Sequence, residues 1–92
     1  MRVEWYPEAE ADLDEIVRYI FQDNPAAAFQ LEDSLLNAAR NLSATPEMGR
    51  VGRVFGTREL VVHSNYMLVY RIDHPIIYIP AVVHTRQQYP KK

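Results

Sequence analysis

No cysteine occurs among the 92 residues. That absence removes disulfides, thiolate metal ligands and a thiol nucleophile together, and it suits a reducing compartment. Also missing is any uncharged apolar run approaching the ~20 residues that cross a bilayer. The opening stretch MRVEWYPEAEADLDE meets Glu4, Glu8 and Glu10 before any apolar segment can build, so it is not a secretory signal. A soluble, cytoplasmic chain without membrane contact is the expectation. Glycine is scarce, at three residues, and GRVGRVFG lies between a helix and a strand without the lysine and hydroxyl of a phosphate loop. Ser34, Ser43 and Ser64 read as capping, helix-surface or turn serines, and none stands in a nucleophile elbow. His63, His74 and His84 fall on separate turns or strand ends without paired spacing, so neither a metal nor any other cofactor is expected.

What is present is enough for one domain, residues 1–92, with one modest core. Hydrophobic residues make up 48% and aromatics 11%, which excludes disorder. The net charge of −2 conceals a division along the chain. Residues 1–47 hold three arginines against ten carboxylates, or −7, whereas residues 48–92 hold seven cations against Glu59 and Asp73, or +5. A polyanionic partner, nucleic acid or acidic peptide, would be drawn to the C-terminal half, although a solvated basic face has the same composition.

VEWYP alternates as a short first strand before Pro7 ends it. The spacing then becomes helical: Ala9, Leu13, Ile16, Val17 and Ile20 share one face. Carboxylates from Glu8 to Glu15 crowd the first two turns, where the helix dipole favours them, so this acidic run is assigned no chemistry. Asn24 caps and Pro25 opens a second helix with the stripe Ala28, Leu31, Leu35, Ala38 and Leu42. The two form an antiparallel hairpin whose stripes need a sheet to cover. After the irregular SATPEMGRVGRVFG come TRELVV, YMLVYRI and IIYIPAVV, three consecutive antiparallel strands separated by HSN and DHP. Pro80 cannot donate to a ladder and marks a bulge or an edge. The expected fold is α+β: an N-terminal strand, a helical hairpin, then a three-stranded antiparallel sheet (β-α-α-β-β-β), with the helices on one sheet face.

A loose cationic set remains: Arg50, Arg53, Arg58, Arg71, His84 and Arg86, with Tyr66, Gln87 and Tyr89 near in sequence. Cleavage of RNA needs little else, because the 2′-OH is the nucleophile and the protein supplies a base, an acid and cations. Surface arginines and a histidine finishing a strand account for the same residues. His84 can equally bond backbone at its strand end. Arg58 and Arg71 can meet across strands and pair with Glu59 or Asp73, a surface network of little energetic weight. Arg86 and Tyr89 follow the last strand, where loops often carry function. Tyr66 and Tyr70 share the face of Leu68 and read as core, and Trp5 as packing under the helices.

GTRELVVHSNYMLVYRI at residues 56–72, PEMGR before it and VVHTRQQYP at the end resemble the ParE/RelE superfamily of toxins from type II toxin-antitoxin modules, over nearly the whole chain. The resemblance implies a growth-inhibiting toxin, of the kind that also stabilises plasmids, held in a hetero-oligomer by a cognate antitoxin. The antitoxin would cover the basic surface carrying Arg50, Arg53, Arg58, Arg71 and Arg86, the residues expected to bind antitoxin or target. Two activities divide the family. RelE-like members are metal-independent endoribonucleases that cut mRNA on the ribosome, and that branch implies Arg86, His84 and Tyr89 as catalytic residues here, with Arg50 and Arg53 as the basic loop. Yet Val62 falls where those enzymes place a second arginine, and the chain ends at Lys92 without room for a further helix. ParE-like members inhibit DNA gyrase by protein contact. RELVVHSNY, YR and VVHTRQQYP lie closer to them, and the overall acidity suits rRNA contact poorly. Gyrase inhibition is the expectation; mRNA cleavage and an inactive, antitoxin-binding paralogue are the alternatives.

Overall fold

The computed structural model describes residues 1–63 and 65–90. Ser64, read above as a turn serine, and the cations Lys91 and Lys92 lie outside the described residues. The elements are β1 (Arg2–Trp5), α1 (Pro7–Phe21), α2 (Pro25–Leu42), β2 (Arg50–Val51), β3 (Arg58–His63), β4 (Tyr66–Asp73) and β5 (Ile76–His84). Each helix opens on a proline, whose missing N–H would have no partner in a first turn. Asn24 caps α2 as expected, its Oδ1 accepting the Ala27 N–H at 3.1 Å. Asn24→Ala should therefore lower stability by about 1 kcal/mol. Thermal unfolding followed by circular dichroism should register a drop of roughly 4–8 °C.

β3, β4 and β5 form the expected antiparallel meander, but the sheet is larger and mixed, with strand order β1-β5-β4-β3-β2. β1 lies parallel to β5, from Arg2 opposite Ile76 to Trp5 opposite Ile79, and β2 pairs antiparallel with β3. Local alternation identifies β1 as a strand but says nothing of a neighbour some seventy residues away. β2 has two residues, too few for any period to show. At Pro80 both expectations hold. Ile79 and Pro80 together oppose Tyr70, since Val69 faces Ala81 and Arg71 faces Tyr78, which is a bulge. Past the end of β1 the same stretch of β5 is also an edge, and there Asp12 Oδ2 accepts the Val82 N–H at 3.1 Å.

The helices cover one sheet face. Leu13, Leu31, Leu35, Ala39 and Leu42 pack on Leu68, Tyr70, Ile77, Ile79 and Val82, with Trp5 and Tyr66 at the margin of this core. Ala28 is buried as expected, but toward the end of α2 it is Ala39, rather than Ala38, that is buried, because it lies one turn from Leu35. The opposite face has a second cluster, Met67, Val69, Ala81 and Val83, closed over by Tyr89 and not by a helix. Among the described residues no helix is long and apolar enough to cross a membrane.

Candidate functional site

Alternation along a strand sends every second side chain to the helix-free face. On β3 that side chain is Glu59, 2% exposed and set in the sheet beside Met67 and Val69. A carboxylate is kept in such a place only by partners. Glu59 accepts the Arg53 backbone N–H at 3.0 Å, Arg53 Nε at 3.1 Å and an Arg50 guanidinium nitrogen at 3.2 Å. Burial pushes its carboxyl upward, yet the bonds and positive charge of Arg53 and Arg50 prevail and hold it below the ordinary value. Both guanidinium groups also approach Met67 Sδ, at 3.9 and 3.8 Å, on the helix-free face. They remain half-exposed toward solvent.

The loop bearing these arginines is fixed from the other side. The Tyr70 hydroxyl donates to the Pro46 carbonyl at 2.6 Å and accepts the Gly49 N–H at 2.9 Å. Arg58 donates to the Gly49 carbonyl at 2.7 Å. A Cβ on Gly49 would stand 2.8 Å from the Tyr70 ring and 2.9 Å from the Glu59 carbonyl, so only glycine fits there. The PEMGR segment is thus a strap anchored by two residues of the sheet.

Arg71 is at the opposite end of the helix-free face. Its guanidinium donates to the Tyr6 hydroxyl at 3.2 Å and lies 5.5 Å from the centroid of the Tyr78 ring, which itself meets Tyr6 edge-on. Arg58 and Arg71 do not meet and do not pair with Glu59 or Asp73: Arg58 is opposite Tyr70 on the helix side, and the next residue along β4 points the other way.

The three residues named for RNA cleavage are separated as well. His84 is opposite Tyr66, their rings 5.2 Å apart, and it lines a cleft of about 270 Å³ with Asp12, Glu15, Tyr19 and Gln87. Its Nδ1 accepts the Arg86 N–H at 3.1 Å and its own N–H donates to Gln87 Oε1 at 3.3 Å, so the imidazole and the backbone tie down the chain end. Tyr89 packs on the other face of β5, against the Met67–Val83 cluster. Burial, then the nearby charges of Asp12 and Glu59, raise the Tyr89 phenol above its usual range. Arg86 is exposed between them. No group of three metal-ligating side chains occurs among the described residues.

A mixed sheet with a helical hairpin on one face and a buried carboxylate holding two arginines on the other makes a compact α+β domain. It superposes on the chromosomal ParDE toxin-antitoxin system of P. aeruginosa with a TM-score of 0.81 at 24% identity, covering 91% of this chain and 95% of that one. It also superposes on the toxin-antitoxin complex RelBE2 of Mycobacterium tuberculosis, with a TM-score of 0.67 at 26% identity over 90% and 95% of the two chains. The Y4kP protein of Sinorhizobium fredii is 38% identical over 91 residues, 98% of this chain and 94% of its own length. The family of ParE toxins of parDE type II toxin-antitoxin systems matches residues 3–89, and the chain belongs to it.

Three participants escaped the sequence reading. Glu59 appeared there only as a counter-charge, with Asp73, to Arg58 and Arg71. Its one signal was a carboxylate inside a β-rich run, opposite in phase to Leu60. Asp12 was assigned to the helix dipole, and only the bulge in β5 shows which N–H it satisfies. Tyr6 carried no signal at all.

Proposed function

We propose that this toxin acts by protein contact on DNA gyrase and is neutralised in the cytoplasm by a cognate antitoxin that covers the arginine-bearing face. One observation carries the choice against RNA cleavage: the groups that would serve as acid, base and cations are not gathered. His84 and Tyr89 occupy opposite faces of β5. Arg50 and Arg53 are engaged by Glu59, and Val62 packs into the helix-side core and adds no cation to the open face. Proton transfer needs its donor and acceptor within hydrogen-bond reach of one substrate. Contact inhibition needs only a shaped surface. The half-exposed guanidinium groups suit the carboxylates of an antitoxin, because charge-assisted bonds to arginine are the strong form of such contacts.

Expression alone should arrest bacterial growth, with filamentous cells, induction of the DNA-damage response and gyrase trapped on DNA, while bulk mRNA stays intact. Co-expression of the adjacent reading frame should restore growth. New 5′ ends phased to codons, vanishing in Arg86→Ala, would replace gyrase by mRNA as the target. Normal growth at high levels of soluble protein would make the chain an inactive paralogue.

A further inference from the structure

The acidic run of α1 has one member that the helix dipole does not explain. Glu15 lies more than two turns into the helix, whereas the pull of the dipole is confined to about the first turn. Its carboxylate is exposed and has no hydrogen bond or ion pair among the described residues, and Arg18, within reach along the helix, is taken by Asp14. Asp12, Glu15, Ile16 and Tyr19 follow a spacing of three and four residues, so they share one face of α1. That face turns toward the free stretch of β5. Asp12 pins it there, its Oδ2 accepting the Val82 N–H at 3.1 Å, while its Oδ1 has no protein partner among the described residues.

The cleft of about 270 Å³ beside His84 is the space between this face and the sheet. Its lining has two carboxylates and two phenol rings, and no lysine or arginine among the described residues. Ile16 and Val82 make its apolar wall. Tyr66 is set edge-on against His84, which is itself tied through the Arg86 N–H and the Gln87 side chain, so this side is in place before a ligand arrives. Tyr19 adds a ring that is 72% exposed. The volume falls below the roughly 300–1,000 Å³ that enclose a small-molecule ligand, and it admits one long side chain. Carboxylates suit the charge of an organic cation, aromatic rings its face, and an apolar wall its methylene stem.

We propose that this cleft takes the guanidinium group of one arginine on the protein that the toxin contacts. Asp12 Oδ1 and the Glu15 carboxylate are unused acceptors one helical turn apart. A planar fork of five N–H donors can meet both and still stack on a tyrosine ring, whereas a lysine ammonium acts as a compact point charge. The carboxylates of an antitoxin belong on the other side of the sheet, at Arg50 and Arg53, and like charge keeps them from the acidic helix side. The inference rests on the reading that the toxin acts by protein contact, and it gives that contact its anchoring residue type.

The test titrates the isotopically labelled full chain with the Nα-acetyl amides of arginine, citrulline and lysine. The arginine compound should shift the signals of Glu15, Tyr19, Tyr66 and His84 and saturate at a concentration on the order of millimolar. Citrulline, its uncharged isostere, should leave them in place, and lysine should bind more weakly. Glu15→Gln combined with Tyr19→Ala, at two exposed positions whose change leaves the fold intact, should weaken arginine binding roughly tenfold. The same double variant should relieve growth arrest on expression and keep its affinity for the antitoxin. Absent binding, equal shifts from citrulline or lysine, shifts confined to the Arg50 and Arg53 face, or undiminished growth arrest in the double variant would each overturn the proposal. Trapping of gyrase by the parent chain is scored separately, so failure here and failure of the gyrase reading remain distinct.

Discussion

Tyr70→Ala should lower the stability of this toxin by about 3–5 kcal/mol, the range for emptying a fully buried aromatic site. Tyr70 is completely buried and its ring fills the core beneath the helices. The same residue holds the PEMGR strap through Pro46 and Gly49. Tyr70→Phe separates the two roles. It keeps the ring, deletes both hydroxyl bonds and leaves the buried Gly49 N–H without its acceptor, a loss of about 1–3 kcal/mol. Urea unfolding of the three proteins measures both steps. A Tyr70→Phe variant as stable as the parent would mean that the strap is held by Arg58 and the backbone alone.

Glu59→Ala should cost about 2–3 kcal/mol at neutral pH, less than three charge-assisted bonds would suggest, because the half-exposed arginines it releases regain water. The acid limb of stability is the more specific signature. The folded carboxyl of Glu59 titrates below its ordinary 4.5. Its contribution is therefore complete above that value and is lost as pH falls through the lower folded value. Stability of the parent should decline across this acid window more steeply than that of Glu59→Gln, which has no carboxyl to protonate. Parallel declines, measured by urea unfolding at stepped pH, would place the acid sensitivity in other carboxylates.

The sequence by itself determined six of the seven elements, all but the two-residue β2, and the family. Apolar spacing of three and four residues marks a helix wherever it occurs, and β-branched and aromatic alternation marks a strand, because both are local consequences of backbone geometry. Asn24, Pro25 and Pro80 declared their roles for the same reason: a cap, a first turn and a broken ladder are decided within a few residues. GTRELVVHSNYMLVYRI and VVHTRQQYP carried the resemblance that the match over residues 3–89 confirms.

Tertiary structure alone decided which residues meet. The parallel partnership of β1 with β5 depends on the path of two helices, and the two-residue β2 exists only because β3 offers it an edge. The face on which a charge appears follows from register, and one bulge is enough to change it. Thus Arg58 and Arg71, close in the pattern of the sequence, point to opposite sides of the sheet. So do His84 and Tyr89, five residues apart. Arg50 and Arg53 looked like free surface cations until folding set Glu59 beneath them. Burial of one carboxylate, which no local pattern encodes, turns a basic loop into an ordered surface.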